Sequence, residues 1–95
     1  MTGSELQKEV MEYMRANGYL VWKNHNIGVR GRTIGYLKGL PDIFALKHGT
    51  FFAIEIKGKG DRLTLDQQNW LNDLTYKGAI AFVAESLKDV MERGL

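Results

Sequence analysis

The order of apolar and polar residues predicts a helix at the start of the chain. Its apolar positions recur every three or four residues, the spacing of one helix face, and comprise Leu6, Val10, Tyr13 and Met14. Ser4 followed by Gln7 fits a capping box at the N-terminal end, and Asn17-Gly18 is a typical helix end. We therefore predict a first helix over residues 4–17.

Short runs rich in branched and aromatic residues predict four strands. They cover residues 19–22, 42–47, 50–57 and 79–84. Only His48-Gly49 separates the second run from the third, and a two-residue connection of this kind is typical of a tight hairpin. Residues 24–39 are punctuated by glycines and contain no such run, so we predict a loop there.

Two further helices are indicated by capping signatures. Thr64 with Gln67 predicts a helix that extends to about residue 77, and Ser86 with Asp89 predicts a short last helix. The predicted order is α-β-β-β-α-β-α. This is an α/β fold with a mixed β-sheet flanked by helices.

The length and composition of the chain limit the kinds of protein that it can be. The chain has 95 residues, of which 44% are hydrophobic and 25% charged, and we expect a single globular domain over residues 1–95. The absence of cysteine excludes disulfides, thiolate metal sites and cysteine nucleophiles. No long apolar run and no signal peptide is visible, so we expect a cytoplasmic protein without a membrane span.

Basic residues concentrate in the segment 23–38. The formal net charge is only +2, but this segment has no acidic residue and contains Lys23, Arg30, Arg32 and Lys38. An acid-free basic segment can follow a phosphate backbone, so these four are candidate DNA-binding residues. A solvated surface loop explains the same composition equally well.

The predicted hairpin sets three ionisable residues together at its open end. If His48-Gly49 is a two-residue turn, the register places Asp42 directly opposite Glu55. Side chains alternate between the faces of a strand, so Lys57 shares the face of Glu55.

Two opposed carboxylates repel each other, and this arrangement needs a compensating cation. Lys57 can supply part of the charge, and a divalent ion with a preference for oxygen ligands, Mg²⁺ or Mn²⁺, can supply more. The alternative is a salt-bridged hairpin end, in which Glu55 pairs with Lys57 or Lys59.

The residues around this hairpin resemble a known nuclease signature. Gly39-Leu-Pro-Asp42 followed by Glu55-Ile-Lys57 has the form of the PD-(D/E)xK motif. Together with Val21-Trp-Lys-Asn24 and Arg62-Leu-Thr-Leu-Asp-Gln67, these blocks resemble in order the VRR-NUC (virus-type replication-repair nuclease) family, and the small stand-alone phage-type members most closely. The resemblance covers nearly the whole chain and implies a restriction-endonuclease-like core.

The resemblance also implies roles for the hairpin residues. Asp42 and Glu55 would bind the metal ions, together with the backbone carbonyl of Ile56. Lys57 would orient or activate the attacking water and stabilise charge on the phosphate. A bound metal ion would lower the pKa of that water and polarise the phosphoryl oxygen.

Two glutamines are candidates for the same site. Related nucleases carry a carboxylate on the first helix, and the matching position here is Gln7, which Glu5 and Glu9 flank. Gln67 resembles a family glutamine that touches the active site. For each glutamine, a purely structural role in a capping box remains an equal alternative.

Trp22 and Trp70 are the tryptophans that could stack on bases. Both lie in apolar patterns, and we expect core packing for them instead.

By this resemblance, the protein is expected to be a metal-dependent DNA endonuclease, selective for branched DNA such as four-way (Holliday) junctions, and a homodimer of phage or bacterial origin. A two-fold dimer would match the symmetry of a junction. One alternative is a non-catalytic DNA-binding module on the same fold, which the basic segment would favour. Another is an interaction domain without a nucleic-acid partner.

Overall fold

Three helices surround a central sheet in the computed structural model, which describes residues 2–24, 28–29, 32–33 and 37–95. The helices are α1 (Gly3–Ala16), α2 (Leu65–Tyr76) and α3 (Leu87–Glu92). The strands are β1 (Leu20–Lys23), β2 (Gly28–Val29), β3 (Arg32–Thr33), β4 (Ile43–Lys47), β5 (Thr50–Ile56) and β6 (Ile80–Ala84).

The central sheet has four strands in the order β1-β4-β5-β6. The β1–β4 and β4–β5 pairs are antiparallel, whereas β5 and β6 are parallel and joined through α2. The prediction of an α/β fold with a mixed sheet is therefore confirmed.

A second, two-stranded sheet corrects the predicted loop over residues 24–39. There β2 and β3 pair in antiparallel fashion, with Gly28 opposite Thr33 and Val29 opposite Arg32. Strands of two residues are too short to show an alternating pattern, and glycine disfavours a strand, so these two strands could not be predicted from the sequence. Five strands, not three, thus lie between α1 and α2 in the described part of the chain.

The hairpin of β4 and β5 has the predicted register. Lys47 pairs with Thr50 and Ile43 with Ile54, so the next position sets Asp42 beside Glu55. His48 and Gly49 adopt positive φ angles of 49° and 81°. This is the combination that a tight two-residue hairpin turn requires.

The hydrophobic core lies on one face of the sheet, beneath α1 and α3. Its members include Val10 and Met14 of α1, Ile54 of β5, Phe82 of β6 and Val90 of α3. Leu71 of α2 is also buried but lies outside this cluster, which places α2 on the other face. The helices thus cover both faces, with α1 packed against β1 and β5 and α2 packed against β6.

The N-terminal cap of α1 differs from the prediction. Thr2, not Ser4, is the capping residue: its Oγ1 accepts from Glu5 N at 3.1 Å, and Glu5 Oε1 accepts from Thr2 N at 3.3 Å. These hydrogen bonds to Thr2 lower the pKa of Glu5. The predicted box of Ser4 and Gln7 is wrong because both residues lie inside the helix, where Ser4 cannot adopt the extended backbone of a cap.

Replacing Thr2 by alanine is expected to lower the free energy of unfolding by about 1 kcal/mol, because the side-chain acceptor of the cap is lost. Ser4→Ala is the matched control and should change stability by less than about 0.5 kcal/mol. Urea unfolding of both variants measures the difference. Equal losses in the two variants would contradict the cap at Thr2.

The caps of the other two helices agree with the sequence. Thr64 Oγ1 accepts from Gln67 N at 3.2 Å and begins α2. Ser86 Oγ accepts from Asp89 N at 3.3 Å and begins α3.

Candidate active site

Asp42 stands immediately before β4, in a turn that several hydrogen bonds fix. Its Oδ2 accepts from the backbone N–H of Ile56 at 2.8 Å, which ties the carboxylate to the end of β5. Asn24 holds the turn from the other side: its backbone N donates to Asp42 O at 2.8 Å and its Nδ2 donates to Pro41 O at 2.9 Å. These two hydrogen bonds make Asn24 part of the structure of this turn, which the sequence pattern did not indicate.

Glu55 is the one charged side chain that is buried among the described residues, with 2% of its surface exposed. Its Oε1 has no hydrogen-bond partner in the described part of the protein. Burial, followed by the charge of Asp42 and a hydrogen bond with it, raises the pKa of Glu55 to about 8, and Lys57 opposes this only in part. The two carboxyl groups therefore lie close together in a poorly hydrated place.

This arrangement fits a divalent metal ion. A buried carboxylate oxygen without a partner is costly, and a second carboxylate beside it raises the cost. Hard oxygen donors are the ligands that Mg²⁺ and Mn²⁺ prefer. No cluster of three or more acidic, histidine or cysteine side chains occurs within the described ranges, so Asp42 and Glu55 stand as a pair there.

A cleft of about 270 Å³ lies between α1 and the end of the hairpin. Asp42, Ile56 and Gln7 line it together with Gly3 and Ser4. The structure thus places Gln7 beside Asp42 and beside the residue whose carbonyl is a candidate ligand. An amide oxygen can replace a carboxylate as a metal ligand, with less charge.

Lys57 lines a neighbouring cleft, which shares Gly3 with the first. Its backbone N donates to Ala84 O at 3.1 Å, and its ammonium lies near enough to Glu55 to lower the pKa of that carboxyl group. Glu9 and Lys59 line the same cleft. The salt bridges found among the described residues do not include Glu55, so the alternative of a salt-bridged hairpin end is not supported.

Gln67 takes part in the capping box of α2, which was one of its two predicted roles. Its Oε1 accepts from Thr64 N at 2.9 Å, and its side chain does not line the cleft of Asp42. A direct catalytic role for Gln67 remains a prediction.

The backbone of α2 nevertheless closely approaches the turn that leads to Asp42. Gly39 has a φ of +84°, and a Cβ placed there would lie 2.6 Å from the backbone carbon of Asp66 and 2.7 Å from Gln67 N. The segment that leads to Asp42 can approach the start of α2 only because residue 39 has no side chain.

Gly39→Ala is therefore expected to lower the free energy of unfolding by about 2 kcal/mol or more, through left-handed strain and a backbone clash together. Gly60→Ala is the matched control, because Gly60 has a φ of +88° but nothing within 4 Å of its added Cβ. The control should lose only about 1–2 kcal/mol. Thermal unfolding of both variants checks this, and a smaller loss at residue 39 would contradict the close approach.

The four candidate DNA-binding residues divide into two groups. Two of them are exposed: Lys23 at the end of β1, and Lys38 before the turn that carries Asp42. Lys38 forms a salt bridge with Asp66 at 3.7 Å. Arg30 and the side chain of Arg32 lie outside the described residues. The two described lysines are on the surface near the site, and their contact with DNA remains a prediction.

Core packing was the wrong expectation for both tryptophans. Trp22 alternates with the buried Val21 and so faces away from α1, where its ring contacts Phe44 and Phe51 edge-on at centroid distances of 6.0 and 6.1 Å. Trp70 is half-buried, and its Nε1 donates to Lys38 O at 3.0 Å.

The described part of the chain has no helix of the length and apolar character needed to cross a membrane.

Comparisons with known proteins indicate the family and the fold of this chain. A family model described as the VRR-NUC domain matches residues 5–88. A solved structure described as a VRR_NUC domain is 26% identical, with a TM-score of 0.71, and the match covers 97% of this chain and 94% of that one. The Holliday junction resolvase Hjc of the archaeal hyperthermophile Archaeoglobus fulgidus is 24% identical, with a TM-score of 0.60, over 85% of this chain and 65% of that one. No curated protein matches significantly.

Proposed function

The chain belongs to the VRR-NUC family, and we propose that it is a metal-dependent endonuclease that hydrolyses phosphodiester bonds of DNA. The observation that carries the proposal is the buried carboxyl group of Glu55, whose Oε1 has no partner among the described residues, next to Asp42, which lines an open cleft. A structural protein gains nothing from this pair, whereas a site that binds a divalent cation needs it.

Asp42 and Glu55 would hold Mg²⁺ or Mn²⁺, with the carbonyl of Ile56 as a further oxygen donor. The bound ion would supply a water of lowered pKa and would polarise the phosphoryl oxygen. The hydrogen bond from Ile56 N to Asp42 Oδ2 fixes the direction of one carboxylate, which keeps the donor set in place before DNA arrives. Gln7, across the cleft, would orient water or complete the ligand set.

Lys57 would act on the phosphate. Lys57 directly follows β5 and lines the adjoining cleft, from which its ammonium would reach a phosphate that sits over Asp42. A fixed cation at the place where negative charge develops stabilises the transition state. In this role Lys57 orients the attacking water and compensates the charge on the phosphate oxygens.

We propose branched DNA, such as four-way junctions, as the preferred substrate. The resemblance to the VRR-NUC family supports this choice, and the resolvase whose fold is similar acts on Holliday junctions. A junction has two equivalent strands to cut, and a dimer with two sites would match that symmetry.

An exposed apolar patch supports the proposed homodimer. Leu20, Trp22 and Leu46 are 63%, 37% and 38% exposed, and they adjoin Phe44 and Phe51 on the sheet face opposite α1. A contiguous surface without charged residues is typical of homodimer interfaces. Leu20→Glu should convert a dimer to a monomer, as measured by light scattering, while a monomeric mass for the wild type would contradict dimerisation.

Cleavage of a labelled four-way junction, a linear duplex of the same sequence and a single strand tests the proposal. Each substrate is incubated with Mg²⁺, Mn²⁺ or EDTA. We expect cutting that requires the metal ion and is fastest on the junction. Equal rates on junction and duplex would contradict the branched substrate but not the nuclease, whereas binding without cutting would favour the alternative of a DNA-binding module.

A further inference from the structure

Three surface depressions join into one groove along α1. The cleft of Asp42 shares Gly3 with the cleft of Lys57, and it shares Ser4 and Gln7 with a third depression of about 260 Å³. The cleft of Asp42 is therefore the middle of the groove. A DNA strand whose scissile phosphate lies there must continue into one or both of the neighbouring depressions.

The third depression is lined by three basic side chains. Lys8 and Arg15 belong to α1, and Lys23 ends β1. Lys23 lies two residues after the buried Val21 in β1, so both side chains are on the α1 side of the sheet. All three basic residues are exposed, and neither lysine forms a salt bridge with another described residue.

The acidic residues of α1 do not cancel this charge. Glu5 is engaged in the cap with Thr2, and Glu9 faces the cleft of Lys57. Glu12 is the one acidic side chain that lines the depression with the three basic residues. The depression therefore keeps an excess of positive charge next to the catalytic cleft.

The spacing of the basic residues suits a phosphate backbone. Lys8 and Arg15 are separated by about 10 Å along the helix axis, at about 1.5 Å per residue. A strand of duplex DNA carries a phosphate about every 3.4 Å along its axis, so this distance spans about three phosphates. Arg15 Nη2 donates to Val21 O at 3.2 Å, which leaves its guanidinium four further N–H donors.

We propose that Lys8, Arg15 and Lys23 form a phosphate-binding track that holds the DNA strand on one side of the scissile bond. This inference rests on the proposed nuclease function and adds to it a binding surface on α1. The track positions DNA without touching the reacting atoms.

Salt dependence of DNA binding tests the track. Lys8→Ala, Lys23→Ala and the double variant are compared with the wild type by fluorescence anisotropy on a labelled duplex, in EDTA and at several NaCl concentrations. The slope of log K against log salt should fall by about 0.9 for each lost contact, hence by about 1.8 in the double variant. Lys77→Ala, which removes an exposed lysine at the C-cap of α2, is the matched control and should keep the wild-type slope.

Shortened substrates test on which side of the cut the track lies. Two duplexes are made that end close to the cleavage position, one on each side, and both are cut by the wild type and by the double variant. The rate deficit of the double variant should disappear with one shortened duplex and persist with the other.

An unchanged salt slope in the double variant, or a deficit that neither shortening removes, would overturn the track. Metal-dependent cleavage by the wild type would leave the proposed function standing in that case. If the wild type neither binds nor cuts DNA, both proposals fall.

Discussion

Lys57→Ala is expected to reduce the rate of DNA cleavage by about 100-fold to 1,000-fold, because a fixed cation near the transferring phosphate is lost. Binding of DNA should weaken by no more than about threefold, since one phosphate contact is removed. Single-turnover cleavage and anisotropy on the same substrate separate the two effects.

Lys59→Ala provides the matched control for this prediction. Lys59 is exposed, follows the same strand end and lines the same cleft, but it lies farther from Glu55 along the chain. Its removal should change the cleavage rate by less than about fivefold. Wild-type cutting by Lys57→Ala, or equal losses in the two variants, would contradict the role assigned to Lys57.

Glu55→Gln is expected to abolish cleavage and yet to stabilise the metal-free protein at alkaline pH. The pKa of Glu55 is raised from 4.5 to about 8 in the folded protein, chiefly by burial and then by Asp42. Between these values the folded protein holds a proton that the unfolded chain has released, so the free energy of unfolding falls as the pH rises. The stability that this proton contributes is therefore fully present at pH 4.5 and below, and it is lost progressively as the pH rises to about 8.

The glutamine variant removes this pH dependence. Its amide is neutral and can donate to the carboxylate of Asp42, so the variant should exceed the wild type by about 2 kcal/mol or more at pH 8.5, and by much less at pH 5. Urea unfolding at both pH values in EDTA measures the difference. A variant that is less stable than the wild type at pH 8.5 would show that Glu55 is well paired in the folded protein.

The melting temperature in the presence of Mn²⁺ is a second test of the role of Glu55. If Asp42 and Glu55 hold the metal ion, Mn²⁺ should raise the melting temperature of the wild type, whereas Glu55→Gln should show little shift. Equal shifts in the two proteins would place the metal ion elsewhere.

The arrangement of the candidate site residues was predictable because one turn determines it. Two residues, His48 and Gly49, fix the register of β4 and β5, and the alternation of side chains then sets Asp42, Glu55 and Lys57 at one end. The burial of Glu55 and the absence of a partner for its Oε1 were not predictable, because they depend on how α1 and α2 close over the sheet.

The N-cap of α1 and the exposure of Trp22 differ from the predictions because both depend on the surrounding backbone and packing. Thr2 with Glu5 and Ser4 with Gln7 both match the capping signature, and the choice between them is made by the extended backbone of Thr2 and by the charge of Glu5 near the helix N-terminus. The side on which Trp22 lies could not be predicted, because an alternating pattern shows that the two faces of a strand differ in polarity but not which face a helix covers.

Asp42 is proposed to hold the metal ion of a nuclease site, and cleavage by Asp42→Asn is the decisive measurement. Asparagine keeps an oxygen that can accept from Ile56 N, so the turn should persist while the charge is lost. The measurement is single-turnover cutting of a four-way junction in Mn²⁺ by the wild type and the variant, with matched circular dichroism spectra. We expect metal-dependent cutting by the wild type and a loss of at least about 100-fold in the variant. Cutting by Asp42→Asn at the wild-type rate would show that the carboxylate of Asp42 is not needed for cleavage.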